Sequence, residues 1–338
     1  MGVRVQPGSP SEARPARADF ADPGVEVELV CVPGLGGLYA RGAARSAGLA
    51  ISGALGARRG TGRGTGRRTG CGPGDLPDVA YLARGVRADA ARLTAYQHLL
   101  GESASDVLPA GFVHVLAFPL ATALIVRRDF PLPLVGLVHL ANRVEQLRPV
   151  SLGDALDVRA YARDLSPHRA GTQVELVTEA RVDGELAWRG VSTYLSRSVR
   201  LPAAGGVGPA PVRAAPELPA AARVPTGTWR LAADVGRRYA SVSGDRNPIH
   251  LSPLTARAFG FPRAIAHGMY TASRALATVG AARTEAFTWT VEFAKPVLLP
   301  GTVAIRVAAE DDADGSLAYA GWNPRTGKVH LTGSVVPA

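Results

Sequence analysis

Apolar positions along the chain change their rhythm near residue 78. From there on, apolar runs alternate with turn signals, and two stretches, 78–198 and 224–338, follow the same order of elements. In each, a short strand (79–86; 228–231) leads into a mixed polar and apolar helix (88–100; 232–242) and then an irregular segment. An apolar helix comes next (112–126; 268–282). Four strands close each half: 134–146, 156–164, 171–182 and 186–197 in the first, 287–293, 302–310, 316–322 and 328–336 in the second. Turn-forming pairs separate the strands, among them Asp183-Gly184, Pro300-Gly301, Asp314-Gly315 and Thr326-Gly327. An apolar helix followed by an antiparallel meander predicts an α+β fold in which a curved sheet wraps a central helix, twice.

The halves also match residue by residue. Val144-Glu145-Gln146-Leu147-Arg148-Pro149-Val150-Ser151-Leu152 aligns without a gap to Val291-Glu292-Phe293-Ala294-Lys295-Pro296-Val297-Leu298-Leu299. Val, Glu, Pro, Val and Leu are identical, Arg148 faces Lys295, and the same register sets Arg159 opposite Arg306. This is the mark of an internal duplication. Residues 199–223, rich in Pro, Ala and Gly, read as the linker between the copies. Residues 1–77 read as a flexible extension with one short helix, 36–47, ahead of a Gly/Arg-rich segment.

Composition narrows the class. The chain has 338 residues, 46% of them apolar, enough for two domains with sizeable cores. The net charge of +10 raises the question of nucleic acid, but half of it sits in residues 56–74, which hold five arginines, eight glycines and no aromatic residue to stack on bases. No nucleic-acid partner is expected. The longest apolar run, 112–126, is short of the ~20 residues that a membrane span needs and contains His114 and Pro119. The first thirty residues include Pro7, Pro10, Pro15, Asp19, Asp22 and Glu26 with no apolar h-region, so no signal peptide is expected. Cys31 and Cys71 fit neither a disulfide framework nor a metal-ligand spacing, and a reducing, cytoplasmic setting is expected.

Chemistry concentrates in Tyr239–Met269. Gly244 and Pro248 both oppose a continuing helix, so Asp245 and His250 should lie on a tight, irregular turn with their side chains free to converge. A carboxylate and an imidazole at one point can hold a water molecule and move protons in either direction. His267-Gly268 opens the apolar helix, where unpaired N–H groups and a partial positive charge favour an enolate-like oxygen. Each of these residues alone has a plainer explanation as a turn or packing residue. Their joint spacing points to proton transfer beside an activated carbonyl.

Ser243-Gly244-Asp245-Arg246-Asn247-Pro248-Ile249-His250, followed by Ile265-Ala266-His267-Gly268-Met269, resembles the signature of the MaoC-like, or hydratase-2, family of hot-dog-fold enzymes. The duplicated layout resembles the family's double hot-dog members, the (3R)-hydroxyacyl-thioester dehydratases among them. The resemblance implies a catalytic dyad of Asp245 and His250 and a Gly268 N–H for the thioester oxygen. It also implies substrate contacts from Asn247, with Ser243, Gly244, Pro248 and His267 completing the motif around the substrate. No metal or cofactor is implied. The expected reaction is reversible hydration of trans-2-enoyl thioesters to (3R)-3-hydroxyacyl thioesters of fatty-acid metabolism, carried on coenzyme A or acyl carrier protein. Which of Asp245 and His250 is acid and which base stays open, and Ser252 stands where many members have aspartate. The first copy lacks the motif: Glu102 takes the place of Asp245 with no histidine following, and Val115 follows His114. One active site per chain is therefore expected, in a monomeric double hot-dog or a homodimer. The alternative is a hot-dog protein that binds acyl thioesters without turning them over.

Overall fold

The computed structural model describes residues 23–56, 75–201, 223–310 and 315–338. The first half comprises β2 (Val79–Val86), α2 (Ala90–Leu100), α3 (Ala110–Ile125), β3 (Leu137–Gln146), β4 (Leu156–His168), β5 (Gly171–Val182) and β6 (Glu185–Ser196). The second comprises β7 (Gly227–Leu231), α4 (Val235–Ser243), α5 (Pro248–Leu251), α6 (Pro253–Ala258), α7 (Gly268–Val279), β8 (Phe287–Phe293), β9 (Gly301–Ala309), β10 (Leu317–Trp322) and β11 (Val329–Pro337). These strands form one antiparallel sheet in the order β2-β4-β5-β6-β3-β8-β11-β10-β9-β7. The order reads as a palindrome about the β3–β8 seam, with β2 matching β7 and β6 matching β11. Register agrees with the duplication: Arg143 pairs with Thr290, and the offset of 147 residues between them also aligns Val144 with Val291. A pseudo-twofold axis therefore passes through the seam.

Each central helix is held by its own half of the sheet. α3 packs on β2, β4, β5 and β6, and α7 on β8 to β11. All of α3 except Phe118 is buried, which explains why its sequence is apolar on every side. One core cluster runs through both halves, and Tyr96, Phe112, Tyr239 and Tyr270 form an aromatic chain across the interface with centroids 5.1–6.4 Å apart. Gly111 sits where α3 meets α7: a Cβ there would run into Ser273 Oγ and the Tyr96 hydroxyl. No helix among the described residues is long and apolar enough to cross a membrane.

The segment before residue 78 differs from expectation. β1 (Val25–Glu28) extends the sheet by pairing in parallel with β2, and α1 spans Leu35–Gly56 instead of the shorter helix expected. Leu35 and Leu38 of α1 are buried against Ala123, with Phe118 and Val126 packed around them. Arg45 donates to the carbonyls of Ile125, Arg127 and Phe130, satisfying acceptors just past the end of α3. Residues 25–45 are thus part of the folded body, not a flexible extension. Their apolar i, i+3 pair was masked by the glycines around it. The Arg-rich run 57–74, most of the linker (202–222) and Cys71 lie outside the described residues; Cys31 is an exposed free thiol.

Glu102, expected at the place of the lost first-site acid, has a side chain only 3% exposed and clamped by both terminal nitrogens of Arg283 from the other half. It serves the junction of the halves. Removing Arg283 strands the buried Glu102 carboxylate, so Arg283→Ala should cost roughly 3–5 kcal/mol of unfolding free energy, measured by urea titration. A loss below about 1 kcal/mol, the value of a surface pair, would mean that the clamp is not formed.

Candidate active site

Local rules build the turn that carries the site. Gly244 ends α4 in the left-handed region (φ +78°), its N–H bonded to the Ala240 carbonyl at 2.9 Å. The buried Ser243 Oγ donates to the Tyr239 carbonyl (2.8 Å) and accepts from the Asp245 N–H (3.1 Å). Asp245 Oδ1 in turn accepts from the Asn247 N–H at 3.1 Å and from the Tyr39 hydroxyl of α1. The segment after Asp245, expected to be irregular, contains two short helices. Each starts with a cap and a proline: Asn247 with Pro248 for α5, Ser252 with Pro253 for α6.

His250, on α5, is 8% exposed, and its Nδ1 lies 2.8 Å from the Ile265 carbonyl. A carbonyl only accepts, so Nδ1 carries the proton and Nε2 presents a lone pair. The His267 ring stacks on that of His250, centroids 3.7 Å apart at 27°. Its Nε2–H donates to the Asp245 main-chain oxygen at 3.0 Å and stands 3.8 Å from Oδ2. Side-chain atoms of Asp245, His250 and His267 lie within 4.8 Å of one another. Two of the ring nitrogens are already committed to carbonyls. A metal ion there would have to take the atoms left over, the same ones available to a water molecule.

Burial sets the charges. It pushes His250 down to about 3, helped by His267 and opposed by Asp245 and the Ile265 carbonyl. Burial likewise lowers His267 against the pull of Asp245. For Asp245 burial alone raises the pKa, but His267, His250, the Tyr39 hydroxyl and the Asn247 N–H together hold it below the usual carboxylate value. Near neutral pH the site is a carboxylate beside two neutral imidazoles.

A cavity of about 410 Å³ opens over these groups. Asp245, His250, Asn247, Ser243, His267 and Gly268 all line it. Gly268 is the first residue of α7, so its N–H has no partner within the helix. A Cβ there would come within 3.1 Å of the Phe293 ring. Gly244 and Pro248, expected to touch substrate, do not line the cavity: Gly244 is spent on the left-handed turn under Leu35, and Pro248 is exposed at the start of α5. His267 is engaged by Asp245 and His250, tethering the Asp245 main chain and stacking on the His250 ring.

Sequence reasoning missed the opposite wall. His114 of α3, His139 of β3, Tyr194 of β6 and Tyr39 of α1 face the same cavity. Burial pushes His114 to about 4 and His139 to about 3. His114 was visible as the counterpart of His267, but only the folding of the first half over the second turns it toward Asp245.

A central helix wrapped by a curved antiparallel half-sheet, built twice in one chain with an acid and an imidazole at the start of the second helix, defines a double hot-dog enzyme. The MaoC like domain profile matches residues 216–320. 3-Hydroxyacyl-thioester dehydratase X of Mycobacterium tuberculosis is 37% identical over 260 residues, covering 77% of this chain and 90% of that protein. The crystal structure of HtdX of Mycobacterium tuberculosis matches with a TM-score of 0.66 at 34% identity, over 77% of this chain and 100% of that one. A MaoC-like dehydratase of Phytophthora capsici shares the fold, with a TM-score of 0.58 at 22% identity over 77% of this chain and 95% of its own. The chain belongs to the MaoC-like dehydratase family, and it is a hydro-lyase.

Proposed function

We propose that the cavity reversibly hydrates trans-2-enoyl thioesters to (3R)-3-hydroxyacyl thioesters, with Asp245 and His250 acting as the dyad. One observation carries this reading. Two proton acceptors, the Asp245 carboxylate and His250 Nε2, converge in a cavity beside the free N–H at the start of α7. The name of the Mycobacterium tuberculosis relative supports the thioester substrate; the 3R configuration rests on the family resemblance.

Neither group has a proton to give at rest, which constrains the chemistry. On hydration, water oxygen bonds to C3 while the double-bond electrons move toward C2 and the thioester oxygen, where the Gly268 N–H donates. The proton that water loses passes to the dyad, and the dyad delivers it to C2. One water enters and no other proton source is needed. In reverse, the dyad takes the C2 proton and returns it to the departing 3-hydroxyl as water. Mixing trans-2-enoyl thioester with the enzyme should consume the ultraviolet absorbance of the conjugated enoyl thioester and yield a single 3R product. Release of free thiol, or binding without turnover, would contradict the proposal.

A second groove of about 270 Å³ adjoins the cavity and shares Lys295, Pro296, Val297 and His330 with it. Arg263 and Lys328 add to its lining, which contains no acid, and the chain's two lysines both lie there. This is the chemistry that a phosphate-bearing carrier requires. Lys295→Gln combined with Lys328→Gln should raise KM for a coenzyme A thioester by roughly 3- to 10-fold, the value of solvent-exposed charge pairs. The corresponding N-acetylcysteamine thioester, which lacks phosphates, should be unaffected. An equal change for both substrates would remove the carrier from this groove. Running the same pair against an acyl carrier protein thioester separates the two carriers.

A further inference from the structure

The N-terminal helix reaches the reaction centre, and the dyad reading above gives that contact a consequence. Asp245 has two carboxylate oxygens with different partners. Oδ1 accepts from the Tyr39 hydroxyl and the Asn247 N–H, whereas Oδ2 stands 3.8 Å from His267 Nε2, which is already bonded to the main chain. A carboxylate with one oxygen doubly held has one orientation, and its other oxygen is left for the reacting atoms. We infer that Tyr39 is a positioning residue for this hydro-lyase, fixing the Asp245 carboxylate so that Oδ2 is presented to the proton in transfer.

The delivery of Tyr39 is built into the fold. Leu38, beside it in sequence, is fully buried, and Leu35 packs on Gly244, the residue before Asp245. Arg45, six residues beyond Tyr39 along α1, is tied to the carbonyls at the end of α3 and just beyond it, and β1 fixes the approach of the segment along β2. The hydroxyl cannot compete for the proton: burial, then the Asp245 charge, raise its pKa well above the ordinary value, so it stays a donor. A hydrogen bond of this kind favours the charged carboxylate. Other groups that face Asp245 are His114 from α3, His139 from β3, Tyr194 from β6, Tyr239 from α4, His250 from α5 and His267 at the start of α7. They are common to wild type and a Tyr39 variant, so a difference between the two isolates Tyr39.

The test is Tyr39→Phe in the full chain, with kcat, KM and the pH profile of kcat measured on a trans-2-enoyl thioester beside Asp245→Asn. A hydrogen bond to a charged group implies a fall in kcat of roughly 10- to 100-fold, with KM changed less than about 3-fold and the acid limb moved to higher pH. In an Asp245→Asn background the same substitution should cost nothing further in kcat, since the proton-accepting carboxylate that Tyr39 orients is gone even though the amide oxygen can still accept its hydrogen bond. If Asp245→Asn abolishes turnover while Tyr39→Phe keeps the wild-type kcat and acid limb, the inference fails and the dyad reading stands. If Asp245→Asn is itself fully active, both fall. A loss in Tyr39→Phe that persists undiminished in the Asp245→Asn background would also overturn the inference, because it would then reflect packing of α1.

Discussion

Asp245→Asn is expected to lower kcat by roughly 10²–10⁴-fold, the range for removing a general acid or base, with little change in thermal unfolding. The substitution preserves shape. The amide oxygen can still accept from the Tyr39 hydroxyl and the Asn247 N–H, so the turn keeps its bonds, but the charge and the basic oxygen are lost. His250→Ala should cost as much in kcat for a different reason: it removes the Nε2 lone pair and leaves the Ile265 carbonyl without its donor. The two variants therefore differ in stability, where only His250→Ala is expected to lose about 1–3 kcal/mol from the stranded acceptor. Assays on short and long trans-2-enoyl thioesters, with unfolding curves alongside, read both quantities. Near-wild-type turnover in either variant would break the assignment.

The second large effect is expected at Gly268. Its N–H is the donor proposed for the thioester oxygen, and deleting such a donor typically costs about 10²–10³ in kcat. Gly268→Ala keeps the N–H but puts a methyl group 3.1 Å from the Phe293 ring, tighter than an ordinary contact. Because the ring lines the same cavity, either α7 or Phe293 must shift. A kcat loss of roughly 10²-fold, partly restored by Phe293→Leu, is the expected pattern. Full activity in Gly268→Ala would show that the first turn of α7 is not under the geometric demand described here.

Most of the fold could be read from the chain because both periodicities are strong. The apolar helix 112–126, the alternating strands and the glycine-containing turns are local signals, and the repeat between Val144–Leu152 and Val291–Leu299 supplied the symmetry that the β3–β8 seam displays. The convergence of Asp245 and His250 was legible for the same reason: Gly244, Pro248 and the cap at Asn247 act within a few residues of both. What escaped was non-local. Tyr39 lies 206 residues from Asp245, on a helix whose short apolar face is interrupted by glycines. His114, His139 and Tyr194 come from a half that lacks the motif, and nothing in their neighbourhood says that they face the partner half's cavity. Gly244 and Pro248 were read as substrate contacts because they lie inside the motif, yet backbone geometry alone accounts for both. A motif residue that sets φ need not meet the ligand.

In the proposed mechanism Asp245 and His250 act on one proton as a unit. The most direct test combines Asp245→Asn with His250→Ala and compares hydration kcat for the double variant with each single one. Residues that share a single task do not lose it twice, so the double variant should be within about 3-fold of the slower single variant. Losses that multiply, each group contributing its own factor independently, would contradict a shared proton.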